Sequence, residues 1–313
     1  MSTSTPTAPT AGADALDPAA EAGRPAADDQ QGRDVVVGAD GSEVSLRAVR
    51  WAAEEAERRG APLRIVHAAP YLSRPGVAGA PPPEQQRARR ITAAAYTVAR
   101  HTAPSVPAST EIVPGNPVSA LLRAGESGQL LVLGIVTTGA ADELVVAPVA
   151  QRIAAQSSRP VVVVPRRRGP DDTARPLVAV VGLNEREDDE PVAAFAAEAA
   201  RLQGRPLTVL NLRRHAQDTP DDWTLDPAAW AERFPGLEVR TQHLPGASAS
   251  RLIGETCPTP LMILSAGHGG LLHRPLDSMH RWLLRHCTSP MAMLPPIHRH
   301  TGQEPQEDII AVG

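Results

Sequence analysis

The chain has 313 residues, 42% of them apolar and 3% aromatic, with a formal net charge of −4. That charge and the scarcity of aromatic side chains argue against nucleic acid as a partner, since it needs a basic face or a stacking platform. The chain has no lysine, so a Walker A loop, lysine Schiff-base chemistry and ordinary kinase chemistry are excluded.

Taken in chain order, residues 1–32 are rich in Ala, Pro, Thr and Asp and poor in large apolar side chains. Such a composition cannot offset its ordering entropy, and a disordered tail is expected. No early apolar run resembles a signal peptide and no stretch is apolar enough to span a bilayer, which predicts a cytoplasmic protein with no membrane partner. From residue 33 to 166, short apolar runs alternate with helical patterns. Strands are predicted at 35–38, 63–68, 111–113, 130–134 and 161–164, and helices at 44–59, 83–102, 117–124 and 145–156. This alternation predicts an α/β fold, a parallel sheet covered on both faces. Residues 167–175 are charged and carry Pro and Gly, and read as a linker. A second α/β block is expected over 176–297, with a weaker second helix around 226–234, and a second disordered tail over 298–313.

The two blocks repeat one another. "WAAEEAERRGAPLRIVH" from Trp51 aligns without a gap on "FAAEAARLQGRPLTVLN" from Phe195. "DVVVGADGS" matches "VAVVGLNER", placing Gly38 over Gly182, and "VPGNPVSALL" matches "LPGASASRLI". A repeat this long implies duplicated domains rather than a solenoid. The final apolar runs, 161–164 and 291–294, look like strand edges that would invite pairing.

"VVVGADGSEVSLRAVRWAAEEAERRGAPLRIVHA" resembles the opening of universal stress protein domains, and the layout resembles a tandem member of that family. The resemblance implies two five-stranded Rossmann-like or flavodoxin-like domains, the second degenerate, and a non-catalytic stress-response scaffold or regulator. It also implies that runs 161–164 and 291–294 pair within the chain, with a homodimer as a further expectation. ATP-binding relatives carry an Asp after strand one and a Gly-x-x-Gly, nine residues, Gly-Ser/Thr pattern after strand four, which lets backbone N–H groups and a helix N-terminus approach phosphate.

Carried over position by position, the resemblance gives Gly38, Asp40, Gly134 and Gly139 as candidate ligand-binding residues of the first copy, and Gly267, Gly269 and Ser278 of the second. The pattern is broken in both. Thr137, Ala147 and Pro148 stand at the second Gly, third Gly and Ser positions of the first copy, with Asp142 and Glu143 adding negative charge to the loop. In the second copy Asn184 falls where the Asp would be, Leu264 at the first Gly and Asp277 at the third, where it would cap the helix in place of a phosphate. The alternative reading is an ATP-binding sensor using one copy, and a third is a slow ATPase.

Other candidates read as structural. His268, His273, His280 and His286 lack zinc-ligand spacing and read as solvated positions. Ser42 reads as a helix cap, Arg87, Arg89 and Arg90 as a wet helix face, and Trp223 and Trp230 as one helix face. Cys257 and Cys287 lie far apart in sequence and read as small buried thiols. No catalytic residue or metal ligand is expected.

Overall fold

The computed structural model describes residues 34–70, 83–135, 148–166, 175–183, 188–213, 223–267 and 276–296. The predicted tails, residues 167–174 of the linker, and Gly139, Asn184 and Gly269 lie outside them. The first repeat runs β1 (Asp34–Gly38), α1 (Glu43–Arg59), β2 (Leu63–Ala69), α2 (Pro83–Thr102), β3 (Ala108–Pro114), α3 (Pro117–Glu126), β4 (Gly128–Ile135), α4 (Pro148–Gln156) and β5 (Val161–Pro165). The second runs β6 (Leu177–Val181), α5 (Asp189–Gln203), β7 (Leu207–Asn211), α6 (Pro227–Arg233), β8 (Val239–His243), α7 (Ala249–Thr256), β9 (Met262–Ser265), α8 (Ser278–His286) and β10 (Met291–Leu294).

Local chemistry sets the helix ends. Ser42 caps α1 by accepting from the Ser45 amide at 3.1 Å, and Gly60 ends the helix in the left-handed region at φ 59°. Gly204 ends α5 in the same way at φ 60°. Trp223 departs from the expected single helix face. It lies in a short 3-10 turn ahead of α6, yet its ring still meets Trp230 at 5.2 Å.

All ten strands join one sheet, ordered β3-β2-β1-β4-β5-β10-β9-β6-β7-β8. Pairing is parallel within each repeat. Among the described residues the single antiparallel pair is β5 with β10, where Val161, Val162 and Val163 face Met293, Ala292 and Met291. These strands are buried along their length, so each repeat covers what would be the other's apolar edge. The outer strands β3 and β8 are largely exposed and carry charges such as Glu111 and Arg240, which discourage further pairing.

Residues alternate between the two faces. Val35, Val37, Leu130 and Val132 pack under α1 and α2, with Ala179 and Ile263 under α5 on the same face. Val36, Leu131, Leu133, Met262 and Leu264 face α3, α4, α7 and α8. Each fully buried Val or Leu contributes about 1.5–3 kcal/mol relative to exposure. Across the junction, Arg59 of α1 bonds Glu55 at 2.7 Å, reaches Glu198 of α5 at 3.3 Å and lies over the Phe195 ring. Among the described residues no helix is long and apolar enough to cross a membrane.

Candidate functional site

The strand order 3-2-1-4-5 reverses between β1 and β4, and a crevice opens beyond the carboxyl ends of strands at such a point. In the first repeat it is a cavity of about 330 Å³, lined among others by Gly38, Asp40, Ala68, Leu121, Gly134 and Ala150. Gly134 is required sterically. A Cβ there would lie 2.7 Å from the Val44 carbonyl oxygen, so α1 crosses the strand end at backbone contact. Asp40 stands at the rim, accepting from the Ser42 amide at 2.8 Å, while its own amide donates to Ser45 Oγ at 3.3 Å. Partial desolvation pushes its carboxyl up, but hydrogen bonds from Ser42 and Ser45 and the Asp40 amide outweigh that and hold it below the ordinary carboxylate value. The mouth therefore presents an ionised acceptor above an apolar floor.

Strand register corrects how the second repeat aligns on this site. Leu63 and Leu207 correspond through the gapless match, and they sit opposite Val35 and Leu177. The counterpart of Gly38 is thus Val180, and that of Asp40 is Gly182 rather than Asn184. Hydrogen bonds agree: the Gly182 amide donates to Asp189 Oδ1 at 2.8 Å, as the Asp40 amide does to Ser45. The loop into α5 is simply two residues longer, which sequence matching absorbed in the wrong place. Likewise Leu131 pairs with Val36 and Val161 as Met262 pairs with Val178 and Met291. The counterpart of Gly134 is therefore Ser265, not Leu264. Gly267 sits two residues beyond it rather than three, and its amide donates to Ser265 Oγ at 3.3 Å.

With that alignment, polar side chains of the second repeat stand at positions that line the cavity in the first. Ser265 Oγ donates to Asp188 Oδ2 at 3.3 Å, and Asp188 is the counterpart of Val44. Asp189, the counterpart of Ser45, forms an ion pair with Arg213. Leu212 replaces Ala68, and His280 replaces Ala150. His280 is 1% exposed, which corrects its reading as a solvated residue. One ring nitrogen faces Asp277 Oδ1 at 2.7 Å and the other the Ser265 carbonyl oxygen at 2.7 Å. Asp277 caps α8 as expected, accepting from the His280 amide at 2.8 Å. The hydrogen bond from His280 lowers the Asp277 carboxyl to about 2, against a smaller opposing effect of burial. Ser278 opens α8 on its exposed side. Asp188, Asp189 and His280 thus stand where Val44, Ser45 and Ala150 line the cavity of the first repeat.

The structure therefore brings Gly38, Asp40 and Gly134 to one cavity and places Gly267 and Ser278 at the end of β9 and the start of α8. Reading residues singly missed His280, Ser265 and Asp188. His280 carried a signal, since it precedes the buried Leu283 and Leu284 by three and four residues on the apolar stripe of α8. Ser265 and Asp188 carried none, because their pairing depends on the register. Among the described residues, no group of three or more His, Cys, Asp or Glu side chains could hold a metal ion.

Residues 32–165 match the model of the universal stress protein family. The universal stress protein Rv2028c of Mycobacterium tuberculosis is 29% identical over 239 residues, which cover 74% of this chain and 85% of that protein. A universal stress protein from Archaeoglobus fulgidus shares the fold with a TM-score of 0.69 at 13% identity, covering 84% of this chain and 98% of that one. Another universal stress protein, solved in complex with cAMP, is 27% identical, covers 43% of this chain and 97% of its own, and has a TM-score of 0.34. The first repeat thus matches the universal stress protein domain, and the chain is similar to universal stress proteins over 74% of its length.

Proposed function

We propose that this chain is a non-catalytic regulator that binds one adenine nucleoside or nucleotide, in the first repeat, while the second serves as a permanently filled structural partner. The observation that carries this reading is the cavity of about 330 Å³ walled by Gly134, Ala68 and Ala150 and rimmed by Asp40. Its size lies at the low end of the ~300–1,000 Å³ usual for small-molecule sites. The Asp40 carboxylate suits ribose hydroxyl donors, and the apolar walls suit a flat base. The phosphate side is weaker. Thr137 and Ala147 add side chains where glycines would let the backbone approach phosphate, and Pro148 brings neither an N–H nor a hydroxyl, so adenosine and AMP should bind about as well as ATP. The non-catalytic reading rests on the absence of lysine from the chain and on local hydrogen bonds that engage Asp40.

Mass spectrometry of acid-released small molecules, followed by calorimetric titration with adenosine, AMP and ATP, tests the proposal. We expect one ligand per chain, with similar affinities for all three. Ala150→His, which copies the second repeat, and Asp40→Ala should each weaken binding by tenfold or more, about 1.4 kcal/mol. No binding at millimolar ligand would leave a scaffold acting through its surfaces. Two ligands per chain would overturn the filled second site, and phosphate release on ATP that is lost in Asp40→Ala would overturn the non-catalytic reading.

A further inference from the structure

The chain's two cysteines, 30 residues apart in sequence, meet in space. Cys257 caps the carboxyl end of α7 and Cys287 that of α8, and their sulfurs are 3.4 Å apart. Both are free thiols. Cys257 is partly accessible to solvent, whereas Cys287 is 2% exposed. Donors converge on the Cys257 sulfur. The Ser289 hydroxyl lies at 3.6 Å, the Thr256 hydroxyl at 3.7 Å and the Cys287 thiol on the third side. At the corresponding helix ends of the first repeat stand Glu126 and Ser157, so the arrangement belongs to the second repeat alone.

We propose that Cys257 and Cys287 form a peroxide-responsive dithiol that closes reversibly to an intramolecular disulfide, pinning α7 to α8. The geometry divides the labour. Cys257 is the reachable sulfur and the one surrounded by donors that favour its thiolate, so it is the attacking group. The Cys287 hydrogen bond, against opposing burial and with help from Ser289 and Thr256, lowers the Cys257 thiol to about 6. The same contact and burial push the Cys287 thiol up, which keeps it protonated as the resolving group.

Hydrogen peroxide is the oxidant. The Cys257 thiolate attacks one peroxide oxygen, the O–O bond breaks, and the departing hydroxide takes up a proton to leave as water, giving a sulfenic acid. The Cys287 sulfur then attacks the Cys257 sulfur. The S–O bond breaks, the Cys287 proton leaves with the hydroxyl as a second water, and the S–S bond forms. The two thiols lose two electrons and the peroxide gains them. Closing from contact to a bond length of about 2.05 Å needs a movement of about 1.4 Å, within reach of two residues at helix ends. A dithiol reductant reverses the bond by exchange.

The test uses full-length protein, reduced and freed of reductant, then treated with one equivalent of hydrogen peroxide and quenched with N-ethylmaleimide. We expect an unalkylated chain lighter by two hydrogens, a peptide crosslinked through Cys257 and Cys287, and recovery of both thiols with dithiothreitol. In Cys287→Ser, oxidation should stop at a Cys257 sulfenic acid that dimedone traps. Full alkylation of both cysteines after peroxide would overturn the proposal. So would disulfides found only between chains, or dimedone labelling of Cys287 rather than Cys257 in the complementary single-cysteine variants.

Discussion

In the first repeat the end of β4 is bare, because the Val44 carbonyl lies where a side chain at Gly134 would begin. In the second, Ser265 stands at that point and bonds Asp188, the counterpart of Val44. Ala68 and Ala150 line a cavity in the first repeat, and the larger, buried Leu212 and His280 stand at those positions in the second. One backbone thus supports two solutions to the same problem, a group of strand and helix ends whose polar atoms need partners. Where a ligand stabilises the folded state only in proportion to its occupancy, built-in side chains do so permanently. Where the first repeat has a crevice, the second has polar side chains paired with one another, as Asp189–Arg213, Asp188–Ser265 and Asp277–His280.

The largest effect is expected at the paired positions Asp189 and Ser45. Asp189 is 7% exposed, accepts from the Gly182 amide and neutralises Arg213. Asp189→Ala removes the carboxylate from a largely buried guanidinium and should cost about 3 kcal/mol. Ser45→Ala, which deletes a neutral acceptor at the same place in the first repeat, should cost about 1 kcal/mol. Urea denaturation of both variants checks the ratio, and equal costs would mean that the ion pair is not the structural replacement inferred here.

A smaller contrast lies at Gly134 and Ser265. Gly134→Ala forces a methyl group against the Val44 carbonyl and should cost about 1–3 kcal/mol through overpacking. Ser265→Ala keeps the shape and loses one hydroxyl shared with Asp188 and Gly267, for about 1 kcal/mol. If Gly134→Ala is the milder of the two, α1 can retreat from β4 and the cavity floor is softer than the close backbone approach implies.

Much of the fold was legible because strand and helix periods are local. The Val35–Gly38 run, the Ser42 cap and the Gly60 stop can each be read from a few neighbouring residues, and the gapless match around Trp51 and Phe195 announced the duplication. The site was legible only in part. Asp40 and Gly134 share a cavity because they lie at the carboxyl ends of the neighbouring parallel strands β1 and β4. The second repeat misled, because the Gly in "VVGADG" and in "VVGLNE" invited an alignment that the register shifts by two residues. Register is a property of neighbouring strands, and nothing within Leu177–Val181 itself records which residue faces Leu207. His280 and the cysteine pair were obscured for a related reason, since each is defined by a partner from another element: the Ser265 carbonyl in one case, the C-cap of α7 in the other.

The gentlest test concerns acid. Asp277 has a folded value of about 2 against an ordinary aspartate value near ~3.9 when unfolded, and its counterpart in the first repeat is Ala147. A depressed carboxyl stabilises the folded state fully above the unfolded value, and that contribution disappears as pH falls through the folded one. Stability owed to Asp277 should therefore be complete at pH 5 and decline between about pH 4 and 2. Its side chain is 58% exposed, so water screens the interaction with His280 and the contribution should stay below about 1 kcal/mol. Comparing the urea midpoints of the native chain and Asp277→Asn across that range isolates it. The two curves should be separated at pH 5 and converge near pH 2, because the protonated aspartate and the asparagine are then both neutral caps. Parallel curves would mean that the carboxylate's charge adds nothing to its hydrogen bonds, and that the second repeat is closed by the shape of His280 alone.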